Sequence, residues 1–600
     1  MCGIFGYVGP RTDAATIVFE GLKRLEYRGY DSWGVAAVAA KLTNPTNPTN
    51  VTNKIIVKKK TGKIGDATVS DMPASSFAFG HTRWATHGGV TEVNAHPHLD
   101  CTHSIAIIHN GIVENYEELK KRLLTKGHRF VSQTDTEVAV HLNEEYAKTM
   151  LFSKAVQKAF NEMEGLNAFI VMNTANNQFV AVRNGSPLVV GFGHQENYLA
   201  SDAAAILPHT KQVHFLEDDE MALVSGRGVM IFNARTGDRV MPKKQTLTWS
   251  VTAAEKGSYP YFMLKEIHEQ PSVVADIAAD NADHAGKLAA IIKKSAGTYL
   301  VGCGTASYAC LAGTYLFSKI AHSHANAAIG SEFGYELDFL DDKSLVMALS
   351  QSGETMDLLE TVKKAKAKHA KLFALVNVLG STLWRMADYT MVIGAGPEKA
   401  VASTKAFTGK LAHLTLLAYA LAGNVAEGQR VLTLAAKAGK AVLAPAFVAR
   451  IEALAKKLKK SSHIYVIGRG LSYPAALEIA LKIKEISYIH AEGLAAGELK
   501  HGPLALVERG TPVIAILPND ETYGANLAGA MEMKARGGFI IGISHKPHEI
   551  FDVYLPVADA REATIIPIVM VGQLLAYYLT ISRGFDPDKP RNLAKSVTVK

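Results

Sequence analysis

The second half of this chain repeats itself. Tyr299-Leu-Val-Gly302-Cys-Gly304, followed by Tyr308, is echoed by Tyr465-Val-Ile-Gly468-Arg-Gly470, followed by Tyr473. Leu345–Thr355 (LVMALSQSGET) is echoed by Pro512–Thr522 (PVIAILPNDET), and Phe373-Ala-Leu-Val by Phe539-Ile-Ile-Gly. The three pairs are offset by 166, 167 and 166 residues. Collinear echoes at one spacing are the signature of a duplicated domain. Within each copy, short apolar runs alternate with Ala/Leu/Lys-rich helical stretches, the pattern of a parallel sheet with helices on both faces. The expectation is two tandem α/β domains over 286–430 and 455–590, closed by a tail over 591–600.

The first half reads differently. Strand-like runs dominate, at Ser104–His109, Ala168–Met172, Phe179–Val182 and Val229–Phe232, with helical patterns at Asn115–Lys126 and Thr136–Lys148. That is a layered α+β domain, expected over 1–245, joined by a linker over 246–285 where the pattern loosens. Asn44–Asn53 is a Pro-Thr-Asn repeat that cannot pack as helix or sheet, so it reads as an exposed insertion between strands at Val35–Val38 and Ile55–Val57.

Hydrophobic residues at 48% and charged residues at 20% exclude general disorder. The formal charge of +8 is spread thinly, its densest runs being Lys58–Lys60 and Lys456–Lys460, which argues against a nucleic-acid partner and suits attraction for a small anion. Four cysteines without paired spacing exclude a disulfide framework and point to a reduced, cytoplasmic chain. Ala563–Ser582 is uncharged and long enough to span a bilayer, but Pro567, Gly572, Gln573 and the Tyr577-Tyr578 pair interrupt it. A buried core helix is the expectation, and no membrane partner.

Cys2 follows Met1 directly. Removal of the methionine would place an α-amine, with an ordinary pKa of about 7.7–8.0, beside the thiol, a nucleophile carrying its own base. Six histidines between His81 and His109 invite a zinc reading, but no His-Glu-x-x-His, thiolate pair or helical ligand pair accompanies them, so no metal is expected. Ser350-Gln-Ser-Gly-Glu-Thr355 lies between an apolar strand and a helix. Its hydroxyls and a helix N-terminus suit a phosphate, and a plain capping box explains the same residues equally well. Gly302-Cys-Gly304 lacks the full dinucleotide spacing, so no nicotinamide is expected.

Cys2-Gly-Ile-Phe-Gly6 resembles the opening of the class II glutamine amidotransferases. Further matches follow in family order: Arg28–Ser32 (RGYDS), His81–Gly88 (HTRWATHG), Asn94–His98 (NAHPH), His109–Ile112 (HNGI) and Thr134–Glu137 (TDTE). The resemblance implies an N-terminal-nucleophile fold with Cys2 as nucleophile and Asn110 Nδ2 and the Gly111 N–H as oxyanion donors. It also implies Arg83 for the glutamine carboxylate, Thr86 and His87 nearby, Asp135 for the ammonium, and Trp84 gating the released ammonia.

SQSGET and Cys303-Gly-Thr305 resemble the flavodoxin-like sugar-isomerase (SIS) domain, here in tandem. Val401–Phe407, Leu477–Tyr488, Gly497–Pro503 and Pro590–Val597 extend the match. End to end, the chain is similar to the isomerising glutamine-dependent aminotransferases of fructose 6-phosphate. That likeness implies L-glutamine and fructose 6-phosphate as substrates, glucosamine 6-phosphate and glutamate as products, and a homodimer. The sugar phosphate would lie on Thr305, Ser350, Gln351, Ser352, Thr355, Val401 and Ala594. Glu485, with Lys482 three residues before it, would move a proton between C1 and C2. His501 would open the sugar ring across the dimer interface, and Lys595 would form a Schiff base with the ketose. An enediol route of this kind needs no cofactor.

Ala306 departs from relatives that carry serine there, which would shift any sugar contact to Thr305 or a backbone group. A phosphoribosyl acceptor would need a diphosphate loop with adjacent acids, which is missing. A sugar-phosphate sensor would be expected to have lost Cys2, Glu485 or Lys595, and all three are present.

Overall fold

A computed structural model of the chain describes residues 2–39, 54–175, 177–247 and 255–597. The Asn44–Asn53 repeat lies outside the described residues, although the strands flanking it, Ser32–Val38 and Ile55–Thr61, pair antiparallel. The chain forms two compact units divided after residue 254.

The first unit stacks an eight-stranded and a seven-stranded antiparallel sheet face to face. Strand Gly3–Val8 lies inside the first sheet, between Phe77–Arg83 and Asn197–Ala200. Its side chains alternate as a strand must. Ile4 and Val8 point to the inter-sheet core with Phe79, Ile108 and Ile170, while Phe5 and Tyr7 point outward to Val18, Phe19 and Leu22 of helix Ala14–Leu25. The second sheet is covered on its outer face by helices Tyr116–Thr125, Thr136–Ala147 and Phe152–Glu162, through Leu119, Val140 and Phe160. Because both faces of each sheet are covered, the strands read as apolar runs rather than clean alternation. The four strand-like runs of the sequence lie in Ile105–Gly111, Asn167–Asn173, Gln178–Asn184 and Gly228–Asn233.

The second unit holds two five-stranded parallel sheets. In space the first runs Asn326–Ile329, Gly297–Gly302, Ser344–Ser350, Lys371–Val376, Tyr389–Val392. The second runs His490–Ala495, His463–Gly468, Pro512–Leu517, Phe539–Ser544, Val553–Pro556. Both follow the order 2-1-3-4-5, so the repeated sequence is a repeated topology. In such sheets ligands bind at the carboxyl ends of strands one and three, where the winding direction reverses. In the first copy those ends carry Cys303-Gly-Thr305 and the SQSGET loop.

The segment expected to be a linker contains helix Phe262–Asp280, whose Met263, Ile267, Val274 and Ile277 are buried in the core of the second unit. Pro271 inside it, and the polar residues around it, mask a helical period that the buried residues keep. Helix Ile565–Ser582 is apolar and long enough to cross a membrane, and 15 of its 18 residues are buried inside the protein. Its Gln573 accepts a hydrogen bond from Gln270 Nε2 at 2.6 Å, so the polar residue that interrupts the apolar run is satisfied inside the core.

Candidate active sites

Cys2 stands at the start of strand Gly3–Val8, and antiparallel pairing of Gly3 with Thr82 sets it beside the end of strand Phe77–Arg83. The Trp84 backbone N–H donates to Cys2 Sγ at 3.2 Å. The Cys2 carbonyl accepts from Asn110 Nδ2 at 3.1 Å and from Arg28 Nε at 3.3 Å. Burial raises the thiol, and the Trp84 N–H with the charges of Arg83 and Arg28 works against that rise.

Asn110 and Gly111 end strand Ile105–Gly111 in the opposite sheet. His81 fixes the amide: its Nε2 lies 3.0 Å from both Asn110 Oδ1 and the His109 carbonyl. Burial pushes His81 down to about 3, so the ring is neutral, and facing two acceptors its Nε2 carries the proton. Nδ2 of Asn110 is thereby turned toward Cys2. Gly111 has φ +134, and a Cβ there would stand 2.1 Å from the Leu166 carbonyl, so only glycine presents its N–H in this position.

Arg83 is buried, and its terminal nitrogens donate to the carbonyls of His87, Gly88 and Gly89, fixing the loop that carries Thr86 and His87. Asp135 precedes helix Thr136–Ala147 and accepts from the Val113 N–H at 2.7 Å. Trp84 packs edge-on to Tyr30 of the RGYDS segment. Of the six histidines, His81, His96, His98 and His109 are buried, and burial lowers each of them. Among the described residues none of the six joins a group able to hold a metal.

In the second unit, strand Gly297–Gly302 pairs in parallel with Ser344–Ser350, which brings Thr305 and the SQSGET loop to neighbouring strand ends. Ser350 Oγ accepts from the Gly353 N–H at 2.9 Å, and Ser352 Oγ from the Glu354 N–H at 3.1 Å. The capping-box reading fails. Thr355 makes no side-chain cap, and Glu354 instead accepts from the Thr382 N–H at 2.8 Å. The turn requires Gly353, with φ +67 and a would-be Cβ 2.1 Å from Ser381 Oγ.

Helix Ser472–Ser487 presents Glu478, Lys482 and Glu485 on one face. Lys482 Nζ donates to Thr305 Oγ1 at 3.0 Å and pairs with Glu485 Oε2 at 2.5 Å and Glu478 Oε1 at 3.4 Å, joining the two α/β copies. In the same unit Lys595 donates to Glu398 Oε2 at 2.6 Å and to the Ala400 carbonyl at 2.8 Å, next to Val401. Ala594 is half-buried. His501 is exposed on the turn Glu498–His501, and among the described residues it has no hydrogen-bond or ion-pair partner.

Burial lifts Glu478 to about 7, despite Lys482. A carboxyl raised on folding contributes stability that is full below its unfolded value and falls as pH rises toward the folded one. Glu478→Gln removes that penalty. Urea unfolding should therefore show the variant gaining on the parent between about pH 4.5 and 7, by about 1–3 kcal/mol. A difference that does not change with pH would refute it.

The family model described as SIS domain matches residues 291–420 and 457–569, and that described as glutamine amidotransferase domain matches 81–208. Glutamine–fructose-6-phosphate aminotransferase (isomerizing) of Pyrococcus horikoshii is 43% identical over the full length of both chains. The enzyme of that name from Thermococcus kodakarensis is 44% identical, again over the whole of both. The chain belongs to the isomerising glutamine–fructose-6-phosphate aminotransferase family. Among solved structures, the C-terminal domain of glucosamine-fructose-6-phosphate aminotransferase from Francisella tularensis is 34% identical with a TM-score of 0.50, covering 56% of this chain and all of that one.

Several residues around this family member's sites escape a reading by motif. Asp202 pairs with Arg28 at 3.2 Å, and Ser201 Oγ accepts from the Ile4 N–H. Both meet the N-terminus only through sheet pairing, so no local pattern marks them. Glu398, three residues before the Val401–Phe407 motif, holds Lys595 and also accepts from the Thr404 and Ala406 N–H groups. Lys410, buried in helix Lys405–Leu421, is lowered to about 8 by burial, while Glu398 and Glu478 act against that. A second lysine in a helix that is mostly apolar is the one signal the sequence carries for it.

Proposed function

We propose that this chain converts fructose 6-phosphate and L-glutamine into glucosamine 6-phosphate and glutamate. The observation that carries the proposal is the joining of Lys482 and Glu485 to Thr305 at a doubly wound switch point, in a chain whose amidotransferase motifs gather around Cys2.

Cys2 attacks the side-chain carbonyl carbon of glutamine, with the α-amine freed by methionine removal as base. Asn110 Nδ2 and the Gly111 N–H take the oxyanion, ammonia leaves, and water releases glutamate from the thioester. Arg83 and Asp135 bind the amino-acid end, with Thr86 and His87 beside them and Trp84 over the thiol. In the second unit the phosphate sits on Ser350, Gln351, Ser352 and Thr355, with Thr305, Val401 and Ala594 around the sugar. Lys595 condenses with the C2 carbonyl of the open-chain ketose, ammonia displaces it, and Glu485 carries a proton from C1 to C2, which turns the ketimine into the amino aldose. Lys482 holds Glu485 in place by their ion pair. His501 opens the ring from a neighbouring subunit of a homodimer, and the enzyme works in the cytoplasm.

The test is incubation with glutamine and fructose 6-phosphate, without added metal. Glucosamine 6-phosphate and glutamate should form in equal amounts. Folded protein that makes no amino sugar would overturn the proposal.

A further inference from the structure

The first unit carries a second cluster of reactive side chains, away from the motifs around Cys2. Cys101 lies in the turn between strands His98–Leu99 and Ile105–Gly111, His128 follows helix Tyr116–Thr125, and His141 and Glu144 lie one turn apart on helix Thr136–Ala147. One ligand atom from each falls within 4.8 Å of the others. Cys101 Sγ is 3.8 Å from His128 Nδ1 and 3.6 Å from His141 Nδ1. Glu144 Oε2 is 2.9 Å from His128 Nδ1 and 3.0 Å from His141 Nδ1. We infer that these four residues form a structural zinc site.

Three features favour a metal over a hydrogen-bonded polar cluster. Zinc bonds of about 2.3 Å to sulfur and about 2.0–2.2 Å to nitrogen and oxygen give tetrahedral edges of about 3.5 Å and 3.3 Å; the two sulfur–nitrogen distances, 3.6 and 3.8 Å, lie just above the first, and the two oxygen–nitrogen distances, 2.9 and 3.0 Å, lie just below the second. Both imidazoles turn the same nitrogen, Nδ1, to the shared point and keep Nε2 for an outer carboxylate. His128 Nε2 is 3.2 Å from Glu145 Oε2, and His141 Nε2 is 3.7 Å from Glu137 Oε1. At His128 this is the arrangement by which an outer carboxylate orients a metal-bound histidine, while at His141 the carboxylate stands beyond hydrogen-bond reach. Finally, the cysteine is built in. Arg129 N–H donates to Cys101 Sγ at 3.3 Å, the Cys101 N–H donates to Glu144 Oε2 at 3.2 Å, and Asp100 ties the turn by accepting from the Ser104 and Ile105 N–H groups. A carboxylate that needed only two histidine donors would have no use for that sulfur.

The mixed Cys-His-His-Glu set suits zinc better than calcium or magnesium, which take oxygen ligands. Four protein ligands complete its tetrahedron, so the role is structural. The residues staple strand Ile105–Gly111, which ends in Asn110 and Gly111, to helix Thr136–Ala147, which follows Asp135. The ion would hold the oxyanion donors and the ammonium partner in register without touching substrate.

Full-length protein should retain about one zinc per chain by elemental analysis, and after chelator treatment it should rebind zinc or cobalt(II). The cobalt form should show a thiolate-to-metal absorption band that Cys101→Ser removes. Glu145→Gln, which changes the outer carboxylate and its pairs with Lys126 and Lys148 but none of the four ligands, should weaken zinc binding about 10-fold or more, and Cys101→Ser at least as much. Cys2→Ala should leave it unchanged. The site is disproved if full-length protein binds no zinc, or if Cys101→Ser binds it as tightly as the parent.

Discussion

Cys2→Ala protein should lose glutamine-dependent synthesis by about 10⁴-fold or more, while still interconverting fructose 6-phosphate and glucose 6-phosphate near the parental rate. The asymmetry follows from where the groups sit. The contacts of Cys2 are with Trp84, Asn110 and Arg28, all in the first unit. Thr305, Lys482, Glu485 and Lys595 all belong to the second. Removing one sulfur leaves the second set intact. The substitution is also mild for folding, since the Cys2 carbonyl, which holds Asn110 and Arg28, remains. A coupled assay for glucose 6-phosphate beside a glutamate assay reads both activities from one preparation. Loss of both in a folded protein would show that the two chemistries are not divided between the units in this way.

How much of this could be read from the chain depends on how local the physics is. The doubled α/β half was legible because each copy carries its own strands, turns and spacing, and Gly302/Gly468 or Thr355/Thr522 recur wherever the same topology recurs. Cys2, Asn110 and Gly111 were legible because their motifs are short and contiguous. Helix Phe262–Asp280 was hidden by Pro271, since a residue that breaks exposed helices is tolerated where tertiary packing outweighs it. Asp202 and Glu398 were hidden for another reason. Each works through a partner far along the chain: Arg28 for Asp202, and Lys595 for Glu398. The Cys101 cluster combines both cases. His141 and Glu144 are helical neighbours, but Cys101 and His128 reach them only when the β-turn and the helix pack together. Of the crowded stretch from His81 to His109, only Cys101 belongs to that cluster, and none of its histidines does.

Lys595→Arg should abolish glucosamine 6-phosphate formation by about 10³-fold or more and keep most of the parent's stability, whereas Lys595→Ala should lose both. Lys595 is 4% exposed along its side chain and its partner Glu398 is 0% exposed. Burial alone would raise Glu398. The Lys595 ammonium and the Thr404 and Ala406 N–H groups overcome this and hold it at about 2. Alanine leaves that carboxylate buried without its cation, a loss of about 3–5 kcal/mol. Arginine can still pair with Glu398, but its guanidinium cannot condense with a ketone. The pH dependence has a definite sign. A carboxyl depressed on folding supplies stability above its unfolded value, near 4.3, that is lost as pH falls toward 2. The parent and Lys595→Arg should therefore lose about 3 kcal/mol of stability across that acid window, and Lys595→Ala should already be weaker at neutral pH. Borohydride reduction with fructose 6-phosphate separates chemistry from folding, since the parent should gain one covalent sugar phosphate at Lys595 and Lys595→Arg none. A fully active Lys595→Arg enzyme would remove the Schiff base from the mechanism, leaving the Glu398 pair as a purely structural anchor for the tail.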